Sequence, residues 1–381
     1  MKDVYTKVTR RGLGSRTKGG CAGVVAGIVF FIASFGVLYW NEGRVDMSSI
    51  AKNALPIAVE SVGNTEAEGQ LVSGYGKLVT SENIGDDLYL KPGNYLAVQR
   101  KSEIYAWVET EHNDTQKNMG GSETTTTTYT YETQWVEDVQ NSSSYEYPVG
   151  HENPAKTIQS SIKKAGTANI GAYEVKIDSL TLPDFSPVSL NADNIIIKDK
   201  AVIADTSYIF TGKGSLAAPQ VGDMRVSYYV LPSGFEGSIF AKKDSSTLFP
   251  YVDEDGNKLY RMMKGTAEEG VSQMHSEYLM ELWAFRIGGF LMMWIGLMLL
   301  FGPISIILDI LPIAGSISRG LIGGVAFVVS LALSIVTIII SAIFHNIIAV
   351  AIVAVVGIFF AYRYIKNKFK QSTPAPAANN P

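Results

Sequence analysis

Side chains able to do acid–base or metal chemistry are few in this chain, and they are scattered. Its four histidines are His112, His151, His275 and His345, and none has a second His, Cys or carboxylate at ligand spacing on a recognisable element. The acidic runs Gly85-Asp-Asp87 and Asp253-Glu-Asp-Gly-Asn257 have turn compositions, and the second lacks the remaining positions of a calcium-binding loop. No phosphate loop, nucleophile elbow, zinc-protease helix or dinucleotide fingerprint is present. The single cysteine, Cys21, lies outside the long polar region 41–285, so a thiol nucleophile is excluded there. That region holds 20 bases against 34 acids, which argues against nucleic acid as a partner. The reading is non-enzymatic: no catalytic residue, no metal site and no cofactor.

The elements that would hold any site follow from how charge is distributed. The first 20 residues carry six Lys/Arg and only Asp3; the last 20 carry Arg363, Lys366, Lys368 and Lys370 and no acid. Between them, four apolar stretches reach or approach the length that crosses a hydrocarbon layer of about 30 Å. The predicted order is a basic cytoplasmic arm at 1–20 and a first span at 21–40. An acidic domain follows at 41–285, then spans at 286–309, 319–344 and 346–365. A basic, then Pro/Ala-rich tail at 366–381 is expected to be disordered. Basic flanks stay inside, so both termini are placed in the cytoplasm and the domain outside.

The first span is also basic-then-apolar like a signal peptide. It is long for one, and no small-x-small cleavage site precedes Tyr39-Trp40-Asn41, which favours an uncleaved anchor. Cys21 opens this span either as a palmitoylation site or as a small apolar residue. The arm is expected to be flexible and drawn to anionic lipid.

The domain at 41–285 reads mainly as strand: 70–80, 95–111, 124–138, 172–182, 194–203, 206–212 and 225–231 are rich in β-branched and aromatic residues between Gly, Asn, Asp and Pro clusters. Residues 104–111 and 124–139 flank a polar loop containing His112 and predict a long hairpin. On its second arm Tyr129, Tyr131 and Trp135 share one face. Residues 155–164 carry Ile158 and Ile162 at i,i+4 spacing and predict a short amphipathic helix. A second helix over 266–285 is predicted to run into the second span. The fold class is thus an α+β membrane protein: one N-terminal and three C-terminal helices flank a large β-rich extracytoplasmic or lumenal domain. The run Gly74-Tyr-Gly-Lys-Leu78 is weakly similar to Gly212-Lys-Gly-Ser-Leu216 and raises the prospect of two related subdomains.

Ionisable groups fall only at the span ends, as Arg286, Asp309, Arg319 and Arg363, whereas transporters place such groups along their pathway. The third span instead carries Gly323, Ala326, Ser330, Ser334, Thr337 and Ser341 at alternating steps of three and four. This is a seam of small residues suited to close helix packing within a bundle or a homo-oligomer. A hydroxyl-lined ion path is the alternative. The first span offers Gly23, Gly27 and Ser34 on one face.

Several stretches together resemble the transmembrane protein 43 (LUMA) family. They are Asn41-Glu42-Gly43-Arg44 after the first span, Tyr105-Ala-Trp-Val-Glu-Thr-Glu111, Tyr131 with Trp135, Gly150-His-Glu-Asn-Pro154 and Val221-Gly-Asp-Met-Arg-Val-Ser227, followed by a three-span end. The resemblance implies one large lumenal or extracytoplasmic domain with one span before it and three after. It also implies a self-associating organiser of membrane protein complexes with no catalytic residues. In eukaryotes the family sits in the endoplasmic reticulum and inner nuclear membrane. The short loops and Pro/Ala tail read as prokaryotic, which would place the chain in a cell inner membrane and leave the lamina and emerin partners behind.

Carried over residue by residue, Asn41, Glu42 and Arg44 sit at the bilayer edge, where an Arg–Glu pair would join domain and spans, with Gly43 as the turn. Trp107, Trp135 and Asp223 are core and turn residues. The function expected is that of a scaffold whose partners are membrane lipids, other membrane proteins and further copies of itself. A channel or channel-modulating subunit, and a sensor with a ligand pocket lined by Tyr129, Tyr131 or Trp135, are the alternatives.

Overall fold

A computed structural model of the chain describes residues 2–63, 67–118, 122–198, 201–304, 314–346, 351–352, 355–359 and 363. The elements in chain order are β1 (Lys2–Arg11), α1 (Leu13–Glu42), α2 (Met47–Ala51), β2 (Leu55–Ile57), β3 (Leu71–Val79), β4 (Tyr95–Lys117), β5 (Glu123–Val136) and β6 (Ser161–Lys164). There follow β7 (Thr167–Ile170), β8 (Tyr173–Lys176), β9 (Ser186–Pro187), β10 (Val202–Ile203), β11 (Ile209–Thr211), β12 (Met224–Pro232) and β13 (Phe235–Asp244). The last are β14 (Thr247–Phe249), β15 (Tyr251–Val252), β16 (Lys258–Leu259), β17 (Arg261–Lys264), α3 (Ala267–Leu300) and α4 (Ala314–Phe344). They divide into two units, Met1–Arg10 with Asp46–Gln116 and Thr124–Tyr278, and Arg11–Val45 with Lys117–Glu123 and Leu279–Pro381.

The first unit is built on two large sheets, with β15 and β16 forming a separate two-stranded one. In one, the order is β1-β5-β4-β12-β11-β10, with β6 added on β4 and β9 on β12. In the other, β13, β14, β8, β7 and β3 pair in turn, and β3 pairs back onto β13, so the five strands close into a ring with β17 and β2 attached. Closure removes free edges. Val72, Leu78, Ile170, Val175, Ile239 and Leu248 are buried together in its core. A second core, including Leu90, Val98, Ile209, Val226 and Tyr228, belongs to the strands around β12.

Several expectations are corrected here. The basic arm is not unstructured: Lys2–Arg11 is a strand on β5, because Val4, Tyr5, Thr6, Lys7 and Val8 extend readily and find an unpaired edge. Residues 155–164 form no helix. They end in β6, which pairs antiparallel with β4 and leaves Ile162 58% exposed, so the i,i+4 isoleucines define no buried stripe. His112 lies within β4 and not in a loop. Among the described residues of the expected strand 194–203 only Val202–Ile203 is one, and of 172–182 only Tyr173–Lys176. The two similar Gly-containing runs differ: the first is mid-strand in β3, the second a turn with Gly212 at φ +154°.

Among the described residues three helices, α1, α3 and α4, are long and apolar enough to cross a membrane, with mean hydropathies of 2.2, 1.7 and 2.7. The helix expected at 266–285 and most of the second span are one continuous α3. The last residues of that span lie outside the described residues, as do 11 of the 20 residues of the fourth span at 346–365 and the tail beyond it.

Asp46 starts α2. Its Oδ1 accepts from Ser48 N–H at 2.9 Å, and its Oδ2 lies 2.7 Å from His275 Nδ1. Desolvation raises the Asp46 pKa, but the bonds from Ser48 and His275 outweigh it and hold the carboxyl below its ordinary 3.8. A lowered pKa stabilises the fold above that value, and the stabilisation is lost as pH falls below it. Asp46→Ala is expected to cost about 1 kcal/mol. Asp46→Asn keeps the cap and flattens the acid limb, which denaturant melts between pH 3 and pH 6 would read.

Candidate functional site

The last turn of α1 explains why Asn41-Glu42-Gly43-Arg44 has the residues it has. After a long apolar run the helix stops at Gly43, whose N–H still reaches Trp40 O at 3.1 Å. Gly43 has φ −89°, which any residue can adopt, so the need for glycine is one of space. A Cβ there would lie 2.4 Å from His345 Nε2. His345 is fixed in turn, with Nδ1 2.8 Å from Ser341 O and its ring 4.6 Å from that of Tyr39.

Three polar residues of this run reach α3. Asn41, fully buried, donates from Nδ2 to Leu282 O at 3.0 Å. Glu42 accepts two parallel bonds from Arg286, Nε and Nη2 each at 2.8 Å, in the fork geometry that makes Arg–carboxylate pairs strong. Arg44 pairs with Glu281, and its guanidinium lies 5.7 Å from the Trp40 ring and 5.4 Å from that of Phe285. From the third helix, Ser341 Oγ donates to Tyr39 O at 3.0 Å. The ends of α1 and α4 and the middle of α3 therefore meet in one polar junction. Its chemistry is structural: most donors and acceptors are paired, Asn41 Oδ1 and Arg44 Nη1 being the buried exceptions, and no nucleophile faces a base.

The seam on α4 turns toward the other helices of the same unit. Ala326, Ser330, Ser334 and Ser341 are buried. Trp294 Nε1 donates to Gly323 O at 3.1 Å, Ser334 Oγ to Met293 Sδ at 3.6 Å, and Thr337 Oγ1 to Leu333 O at 2.7 Å. The sequence singled out Asn41–Arg44 through the family resemblance and the seam through small-residue periodicity, whereas the residues they touch, Glu281, Leu282, Arg286 and Met293, carry no local signal linking them to α1 or α4.

In the first unit the aromatic face splits into two environments. Trp135 packs 5.3 Å from Tyr105 and 6.4 Å from Phe210, with the Arg225 guanidinium 4.8 Å from its ring. Tyr129 and Tyr131 lie further along β5 beneath the segment 140–153. There the His151 ring stacks on Tyr131 at 3.9 Å, and Tyr147 N–H donates to the Tyr131 hydroxyl at 3.0 Å. That hydroxyl donates to Glu109, and burial first, then this bond, push the phenol pKa up. Asn153 pins the segment to β4: its Oδ1 accepts from Trp107 N–H at 2.8 Å and its Nδ2 donates to Trp107 O at 2.9 Å. Tyr131 is fully buried, so this face is core and not a pocket wall.

Asp223 organises a turn, accepting from the backbone N–H groups of Lys213, Gly214 and Gln220 at 2.7, 3.1 and 2.7 Å. Among the described residues no group of three His, Cys, Asp or Glu is placed to hold a metal ion.

A family model described as Transmembrane protein 43 matches residues 104–347. Transmembrane protein 43 of Rattus norvegicus and of Homo sapiens are each 27% identical over 343 residues, covering 85% of this chain and 84% of theirs. The Transmembrane protein 43 homolog of Drosophila melanogaster is 25% identical over 284 residues, covering 71% of this chain and 74% of its own. No solved structure matches. With the family's model covering more than half its length, the chain belongs to the transmembrane protein 43 family.

Proposed function

We propose that this is a non-enzymatic, multi-pass membrane scaffold with a fourth span at 346–365, cytoplasmic termini and the β-rich unit on the extracytoplasmic or lumenal side. Its action is binding: it holds other membrane proteins, or further copies of itself, in the plane of the membrane. The observation that carries the reading is the helix-end junction, where every polar group of Asn41, Glu42 and Arg44 that reaches α3 is spent on fixing α1 against it. A scaffold needs such fixed geometry and needs no reactive group. The charge distribution along the chain supports the sidedness. The hydroxyls of Ser334, Thr337 and Ser341 engage Met293, Leu333 and Tyr39, and the Ser330 hydroxyl is buried, which gives the channel reading little to work with. The buried Tyr131 does the same for the sensor.

Native mass analysis in mild detergent, paired with cross-linking in intact membranes, tests the proposal. A defined oligomer or a stoichiometric membrane-protein partner is expected, and a strict monomer with no partner in either measurement would overturn it.

A further inference from the structure

β1 lies along the outer edge of β5 and is anchored by alternate side chains. Asp3 Oδ2 is 3.3 Å from His151 Nε2, the Tyr5 ring stacks on Tyr147 at 4.6 Å and stands edge-on to Tyr131 at 5.8 Å, and Lys7 pairs with Glu146. The intervening Val4 and Val8 are exposed. Yet β1 is the basic segment that precedes α1, a helix of 30 residues, about 45 Å long at 1.5 Å per residue. A helix crossing the hydrocarbon puts Gly12 and Gly43 on opposite faces. With the sidedness proposed above, insertion would draw β1 off the β5 edge on which it lies here, and a second copy's β1 would stand on the wrong face too.

The β5 edge would remain on the domain's side as a row of unpaired N–H and C=O groups beside Tyr147, His151 and Glu146. A long bare edge of this kind is a template for another strand. We propose that this edge is a strand-acceptor site for an extended segment of a different protein on the domain's side of the membrane. The segment would carry an acid, an aromatic and a cation at alternate positions, as Asp3, Tyr5 and Lys7 do here. Main-chain bonds to β5 would supply affinity; the Tyr147 ring and Glu146 carboxylate would supply selectivity.

The proposal rests on the sidedness given above, and its test separates the two. In vesicles of uniform orientation, in a Cys21→Ser background, Lys7→Cys and Val149→Cys are labelled with a membrane-impermeant maleimide. A fluorescent peptide of residues 2–11 is then titrated onto the full-length protein in lipid nanodiscs. Opposite-sided labelling with saturable peptide binding is expected. The affinity should fall about tenfold for the Tyr5→Ala peptide. It should also fall for the Lys7→Glu peptide and recover on Glu146→Lys protein. Opposite-sided labelling with no binding overturns the acceptor site and leaves the sidedness standing. Same-sided labelling overturns both, because the chain's own β1 then fills the edge.

Discussion

Glu42→Ala is expected to lower the stability of the helical unit by about 3–5 kcal/mol, the cost of removing one partner of a buried ion pair. Glu42 is 5% exposed and Arg286 21%, so the guanidinium left behind could not recover full hydration. Arg286→Ala should cost as much, by stranding the carboxylate. Replacing both by apolar residues of similar volume should recover most of the loss, since the pair's net worth is far smaller than the penalty for breaking it. Arg286→Lys should fall between, because an ammonium makes a point contact where the fork makes two parallel bonds. The neighbouring Arg44–Glu281 pair supplies the internal comparison. Glu281 is 58% exposed, and Glu281→Ala should change stability by less than about 1 kcal/mol. Denaturant titration in detergent, with each variant at fixed lipid and salt, reads all of these. A Glu42→Ala protein no less stable than Glu281→Ala would show that the junction does not hold the helices.

What the sequence made legible at this junction, and what it hid, follow from distance along the chain. Asn41 to Arg44 form one polar cluster at the end of an apolar run, and such a boundary is visible in any window of 20 residues. Arg286 lies more than 240 residues away, and nothing local marks it as the partner of Glu42 and not merely another helix-end arginine. The apolar helices were legible because their signal is long and unbroken.

The β-rich unit was legible where one face is wet. In β5 the alternation of Tyr129, Tyr131 and Trp135 puts them on one face, but it cannot say that the segment 140–153 will roof two of the three. β13 escaped notice for the opposite reason. Gly237, Ser238, Ile239, Phe240 and Ala241 are all buried, so no polar alternation appears, and the buried Lys243, paired with Glu68, makes the run look like a surface loop. In β1 the charges drew attention away from an extended pattern whose alternate members, Asp3, Tyr5 and Lys7, each meet a partner.

Gly27→Leu is expected to be the most damaging single change inside the apolar helices. A Cβ at Gly27 would lie 2.8 Å from Gly296 O, 2.9 Å from Leu299 Cβ and 2.9 Å from Leu300 N. Two of these are backbone atoms, which cannot swing aside as a side chain would. The contact is reciprocal: a Cβ at Gly296 would lie 2.7 Å from Phe31 N and 3.1 Å from Gly27 O. Helices approach this closely only through small residues, and the dispersion gained by backbone-to-backbone packing is what α1 and α3 would lose. Even Gly27→Ala should cost about 1–3 kcal/mol as overpacking, with Leu at or beyond the upper end. Combined with Gly296→Ala the cost should be less than additive, because one separation of the helices relieves both clashes. Gly36 is the control, since it lies in the same helix and a Cβ there meets nothing within 4 Å. Gly36→Leu should leave the denaturation midpoint unchanged or raise it slightly, because leucine is the better helix former. Equal tolerance at positions 27 and 36 would mean that α1 and α3 do not cross at Gly27. The polar junction at Glu42 would then carry a larger share of the restraint on α1, and the loss in Glu42→Ala should grow accordingly.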